Sequence, residues 1–125
     1  MRVLVTGGAG FIGSNLVDNL INDGHDVIII DNLSTGKKDN INPKAEFHNI
    51  DISDMDVRGK CSMFDGVDVV FHTAASARVQ PSIDNPIEFN KVNVNGTLNI
   101  LKACVDYGVN RFVYSSSSSV YGNVE

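Results

Sequence analysis

Seven residues near the start of the chain restrict its fold more than any other feature: Gly7-Gly8-Ala9-Gly10-Phe11-Ile12-Gly13. They follow directly on Arg2 to Thr6, a short run rich in β-branched residues. They open a segment, Phe11 to Asp23, in which Ile12, Leu16 and Leu20 recur every fourth position with Val17 and Ile21 alongside, and Gly24 follows as a C-cap. A buried strand that runs straight into glycines and then into an amphipathic helix begins a parallel α/β unit.

Glycine at 7, 10 and 13 serves three physical needs: a tight turn at unusual φ, close approach of backbone to a pyrophosphate, and close packing of helix on strand. Phosphates would sit at the helix N-terminus, where unpaired N–H groups and the helix dipole favour negative charge. A ligand-free glycine-rich turn has the same composition, so context must decide. No Gly-Lys-Ser/Thr follows, which excludes a P-loop. Val27 to Ile30 is an uninterrupted apolar run, as in a strand covered on both faces, and it ends at Asp31, 18 residues after Gly13. An acid there can hold the hydroxyls of an adenosine ribose and would repel a 2′-phosphate; no arginine stands at Asn32 or Leu33, so NAD is favoured over NADP. The plainer alternative is that Asp31 caps the next turn.

The remaining elements continue the alternation. Asn32 to Pro43 reads as an exposed loop with room for a short helical turn, and a weaker strand follows near Glu46 to Ile50. A helix is expected somewhere in Asp54 to Phe64, strands at Asp68 to His72 and Arg111 to Ser115, and between them a helix marked by Val94, Leu98, Leu101 and Val105 and capped by Gly108. The expected fold is α/β, a Rossmann-type doubly wound parallel sheet with right-handed crossovers, truncated after about five strands.

At 125 residues and 42% hydrophobic content the chain can bury one ordinary core, so residues 1–125 are expected to form one domain. A net charge of −5 offers no basic stripe for nucleic acid or an anionic membrane. Cys61 and Cys104 lie 43 apart with no C-x-x-C spacing, which predicts two buried reduced thiols and no metal site. No signal-peptide core or 18-residue apolar run is present, and the cytoplasm is the expected compartment.

The segment Thr6 to Gly13 resembles the opening of the extended short-chain dehydrogenases, the NAD-dependent epimerase/dehydratase family. Four more segments agree: Asp31-Asn32-Leu33-Ser34-Thr35-Gly36, Asp51-Ile52, His72-Thr73-Ala74-Ala75, and Ser115 to Gly122. The resemblance implies that Gly7, Gly10, Phe11, Ile12 and Gly13 cradle the NAD pyrophosphate. It further implies that Asp31 and Asn32 hold the ribose, with Ser34, Thr35 and Gly36 closing the pocket, and that Asp51 and Ile52 meet the adenine. Ala74, Ala75 and Ser76 would pass beneath the middle of the cofactor, and Asn93 and Ser115 would lie near the nicotinamide. Asn93 could equally be an ordinary asparagine bonding backbone near a bend. His72 is expected to be a packed or hydrogen-bonded imidazole rather than a metal ligand.

By composition alone the run Ser115 to Ser119 is a flexible loop. Against the family's S-S-S-x-x-V-Y-G, Ser117 becomes the catalytic hydroxyl. Dehydratases and sugar-acid decarboxylases of this kind usually carry acids where this chain has Ser118 and Ser119, which favours a UDP-hexose 4-epimerase over a dehydratase or reductase. Such an enzyme oxidises the sugar at C4, lets the keto sugar turn, and returns hydride to the other face. Its base is a tyrosinate tuned by a lysine four residues on. Here Tyr107, Tyr114 and Tyr121 are followed at that spacing by Arg111, Ser118 and Glu125. The Y-x-x-x-K element and the sugar-nucleotide domain are therefore expected to be missing, and the chain alone to be inactive. The full-length parent is expected to be a homodimer with NAD and a nucleotide sugar as partners; a non-catalytic dinucleotide-binding module is the other class to weigh.

Overall fold

The computed structural model describes residues 1–56 and 61–123. Five strands, β1 (Arg2–Thr6), β2 (Asp26–Asp31), β3 (Glu46–Asn49), β4 (Val69–His72) and β5 (Arg111–Tyr114), form one wholly parallel sheet in the order β3-β2-β1-β4-β5. This is the Rossmann-type α/β order. The chain winds one way from β1 through β3 and then crosses to β4, so the order reverses beside β1 and leaves a crevice at the carboxyl ends of β1 and β4.

The apolar strands are continuous because both faces are covered. Leu4, Ile28, Ile30 and Val70 point to one side and pack with Ile100, Ala103, Cys104 and Phe64; Val3, Val5, Val27 and Ile29 point to the other and pack with Val17. Helix α1 (Phe11–Asn22) covers the second face, and α4 (Thr97–Asp106) covers the first. Each fully buried Val, Leu or Ile contributes about 1.5–3 kcal/mol. Gly24 and Gly108 end these helices at φ 84° and 68°, values that L side chains rarely adopt.

Several boundaries differ from expectation. Between Asp54 and Phe64 the described residues hold only a 3₁₀ turn at Ser62–Phe64; residues 57–60 lie outside the described ones. Two short helices, α2 (Val79–Asp84) and α3 (Pro86–Asn90), were not expected, and α3 is capped by Asn85, whose side chain accepts from the Glu88 N–H. The helix signalled by Val94 begins as a wide π-type segment, Lys91–Gly96, before α4. Gly96 sits where a Cβ would come within 2.7 Å of Ile52.

The residues that revealed this last helix are not the ones it buries. Val94, Leu98 and Val105 are exposed, and the buried face is Gly96, Ile100, Ala103 and Cys104. Cys61 and Cys104 are free and buried, as expected, and burial pushes the Cys104 thiol up to about 11. Among the described residues no strand pairs with the outer edge of β5, where Val113 and Tyr114 are also exposed. With that edge and the α4 stripe open, the 125-residue polypeptide should self-associate. Sedimentation velocity over a concentration series checks this; a sedimentation coefficient independent of concentration would refute it.

Candidate functional site

The three glycines divide their work. Gly7 makes the turn at φ 72°, and a Cβ on it would lie 2.9 Å from the Ala74 backbone. Gly13 permits close packing, since its Cβ would stand 2.1 Å from the Gly7 carbonyl oxygen. Gly10 does neither. Its φ is −79°, open to any residue, and its Cβ would meet only the Gly7 oxygen at 3.3 Å. What keeps that position small is the space beyond it.

That space is a cleft of about 340 Å³ at the carboxyl end of the sheet. Gly7, Gly10, Phe11, Ile12 and Gly13 form one wall, and Ala74, Ala75 and Ser76 form the floor. Asp31, Asn32, Ser34, Thr35, Gly36, Asp51 and Ile52 enclose the far end. Thr73, Val92, Ile30 and Ile50 also line it and were not anticipated, although Thr73 lies inside the His72-to-Ala75 motif and the two isoleucines end or follow strands. Asn93 and Ser115 do not line this cleft. They belong to a neighbouring cavity of about 490 Å³, together with Ser117, Arg78 and Tyr114, which shares the floor Ala74 to Ser76.

The first cleft has two poles. Helix α1 begins at Gly10 with no side-chain cap and no acid in its first turn, so the first-turn N–H groups and the dipole's positive end have no anionic side chain to meet them. The far end carries two carboxylates. Asp31 is 8% exposed and accepts from the Ala9 N–H at 3.0 Å and the Leu33 N–H at 2.8 Å. It therefore caps the turn, the plainer alternative, while its side chain still forms part of the cleft wall. The bond to Ala9 ties strand β2 to the glycine turn. The Ala9 carbonyl in turn accepts from the Lys37 N–H and the Asn40 amide, which fastens the following loop over it. Asp51 accepts from the Ser53 hydroxyl at 2.6 Å, the main reason its carboxyl sits below the ordinary range against the opposing effect of burial; the Ser53 N–H, Asn32 and Lys91 act in the same direction.

Beneath the floor lies a hydrogen-bond relay centred on His72, which is 2% exposed. Thr97 Oγ1 donates to the Asn93 carbonyl at 2.6 Å and so accepts from His72 Nε2–H at 2.9 Å. Thr6 Oγ1 accepts from the Ala74 N–H at 3.2 Å and donates to His72 Nδ1 at 2.7 Å. Every hydrogen then has an acceptor only if the imidazole is neutral, and burial lowers its pKa to about 4. The ring stacks on Tyr114 and also packs against Phe112. His72 is thus the packed imidazole expected from the sequence.

At the other end of the floor, Asn93 accepts from the Ser76 N–H at 2.8 Å and donates to the Ser76 carbonyl at 2.9 Å. A side-chain amide here substitutes for a neighbouring strand. Of the two readings of Asn93, its bonds match the structural one, and it joins the floor to the helix start. Ser117 caps a 3₁₀ turn, Ser118–Tyr121, and its hydroxyl oxygen accepts from the Ser119 N–H at 3.1 Å. Among the described residues no group of three or more His, Cys, Asp or Glu could hold a metal ion, and no helix is long and apolar enough to cross a membrane.

The sequence profile of the NAD dependent epimerase/dehydratase family matches residues 3–125. A putative UDP-glucose 4-epimerase of Methanocaldococcus jannaschii is 53% identical over 121 residues, 96% of this chain and 39% of that protein. The crystal structure of UDP-glucose 4-epimerase from Thermotoga maritima, with UDP-glucose, superposes with a TM-score of 0.91 at 44% identity, covering 100% of this chain and 41% of that one. The Thermus thermophilus UDP-glucose 4-epimerase in complex with NAD gives 0.91 at 41% identity, covering 100% and 40%. The chain thus spans about two fifths of the length of the curated relatives it matches. Its fold, its glycine turn and its five ordered motifs have one explanation: the chain belongs to the NAD dependent epimerase/dehydratase family.

Proposed function

We propose that residues 1–125 bind NAD in the first cleft and supply the dinucleotide-binding part of a nucleotide-sugar 4-epimerase acting on a UDP-hexose. The observation that carries this reading is the polarity of the cleft: an uncapped helix start at one end and two carboxylates at the other. A dinucleotide has the matching order, with a pyrophosphate for the N–H groups and ribose hydroxyls that donate to Asp31. Asp51 is held ionised and can accept from an adenine amine. That relatives of this chain are UDP-glucose 4-epimerases supports this choice.

When bound, NAD supplies the hydride acceptor and donor. The protein's own part is to position groups around it. Gly10 keeps the wall thin, and Ala74 and Ala75 let the floor approach closely. Asn93 and Ser115, in the second cavity, would face the nicotinamide end across the shared floor. Because the Ser119 N–H occupies one lone pair of Ser117, the Ser117 hydroxyl hydrogen is left to donate to a substrate oxygen. A serine hydroxyl cannot serve as the base at neutral pH. The 125 residues hold no tyrosine followed four later by lysine, so this polypeptide alone should show no turnover.

Calorimetry with NAD and NADP tests the reading. NAD should bind more tightly, and Asp31→Ala should narrow the gap by about 1–3 kcal/mol as a charged hydrogen bond and a repulsion are lost together. Since Asp31 also holds Ala9 and Leu33, the variant should bind both dinucleotides less well than the parent. Equal affinity of the unaltered protein for the two would sink the Asp31 assignment.

A further inference from the structure

The first cleft is lined by two acidic side chains and no basic one. The second cavity is the reverse: among the described residues, its one charged lining side chain is Arg78. Its other polar walls, Ser76, Ser82, Asn93 and Ser115 to Ser117, are neutral.

Two further observations single out this arginine. The Arg78 side chain has no hydrogen-bond or ion-pair partner among the described residues; the same holds for the exposed Lys37, Lys38, Lys44 and Arg111, but of these five only Arg78 lines a cavity. Its backbone stands at φ 87° and ψ 140°, a region that is costly for any residue with a Cβ and natural for glycine. No bond of the Arg78 side chain offsets that cost among the described residues. The same twist carries the chain from the floor, which ends at Ser76, into α2, and so puts the guanidinium on the cavity wall.

We propose that Arg78 is the anion-recognition residue of the second cavity, taking an ionised oxygen group, phosphate or carboxylate, of the ligand bound there. The proposal rests on reading that cavity as the nucleotide-sugar site. A guanidinium offers a fork of N–H donors that matches either group in two parallel bonds. No carboxylate lines the cavity to compete for it. A neutral hexose gives the fork nothing ionic to hold, so the anion is either the diphosphate of the nucleotide or an acid group on the sugar itself.

The test uses the whole epimerase to which, on that reading, residues 1–125 contribute the dinucleotide-binding part, saturated with NAD and its uptake verified first, and calorimetry with UDP-glucose, UDP-glucuronate and UDP. Arg78→Gly removes the guanidinium and suits the backbone, so it should unfold no lower than the parent. Arg78→Lys keeps the charge and loses the fork. Arg78→Gly should weaken binding roughly 10- to 100-fold, with Arg78→Lys recovering part of it and added salt reducing the difference. A loss confined to UDP-glucuronate identifies a sugar carboxylate as the anion; an equal loss for all three identifies the diphosphate. Unchanged affinities in Arg78→Gly would overturn the proposal while leaving NAD binding intact. Should the unaltered protein take up NAD but none of the three nucleotides, the second cavity is not a nucleotide-sugar site and the Arg78 proposal falls with that reading; failure to take up NAD would overturn the reading of the first cleft.

Discussion

Replacing Gly10 by valine should abolish dinucleotide binding and leave the fold intact, whereas replacing Gly13 by alanine should damage the fold itself. Valine fits the extended backbone of Gly10, and the nearest atom to its Cβ, at 3.3 Å, is a carbonyl oxygen that can give by a few tenths of an ångström. Its two methyl groups would then fill the cleft where phosphate must approach the first turn of α1. Gly13 lies inside α1, where alanine ordinarily gains about 1 kcal/mol in helix propensity. Against that gain stands a Cβ placed 2.1 Å from the Gly7 oxygen. Overpacking against backbone costs about 3 kcal/mol or more, so the steric effect wins. Urea unfolding with circular dichroism, beside NAD calorimetry, separates the two. Normal NAD affinity in Gly10→Val would place the phosphate cradle elsewhere, and an unperturbed midpoint in Gly13→Ala would refute the packing argument.

The second large effect is acid destabilisation through His72. The unfolded histidine titrates near 6.5 and the folded one at about 4, so between those values the unfolded chain binds the extra proton. Stability from the neutral imidazole is therefore complete above pH 6.5 and is lost as pH falls toward 4. At that limit the loss is about 3 kcal/mol. Asp51, whose carboxyl is lowered, adds a further loss on acidification below the ordinary carboxylate range. Denaturation midpoints at pH 7.0 and 4.5 measure the first effect. His72→Phe should flatten the dependence over that window while lowering stability throughout, since Thr6 and Thr97 lose their partner. A midpoint that does not move with pH in the unaltered protein would exclude a buried neutral histidine.

Much of this was legible because the physics is local. Strands β1, β2 and β4 announce themselves as apolar runs since both faces of a parallel sheet are covered, and Asp31 is marked by its position at the end of one of them, whereas Ser117 stands out from its serine run only through the family resemblance. The fifteen positions assigned to the cofactor by resemblance that share the first cleft come from four short motifs, each within a few residues of a strand terminus. Other features depend on contacts that spacing does not record. Helices α2 and α3, of six and five residues, are too short to show a period. In α4 the apolar spacing of Val94, Leu98, Leu101 and Val105 identified a helix and pointed to the wrong side of it, because the buried side is made of small residues and a cysteine. The positive φ belongs to Gly7 and not to Gly10, a distinction set by where Ala74 comes to rest. The sequence departs from the pattern of related hexose epimerases at Ala77-Arg78, but it does not record the backbone angle or the cavity that give Arg78 its place.

The central place of β1 in the sheet has a consequence for synthesis. Its partner β2 follows soon after, but His72, which closes the other side of β1 and receives the Thr6 hydroxyl, lies 66 residues further along. At about 5–20 residues per second the ribosome needs roughly 3 to 13 s to deliver it. Through that interval Val3, Leu4 and Val5 wait with one edge unpaired and one face uncovered, and the glycine turn has no floor beneath it. Strand β1 is thus made well before the partner that finishes it, and the nascent chain is most exposed to wrong pairing where its future site will stand.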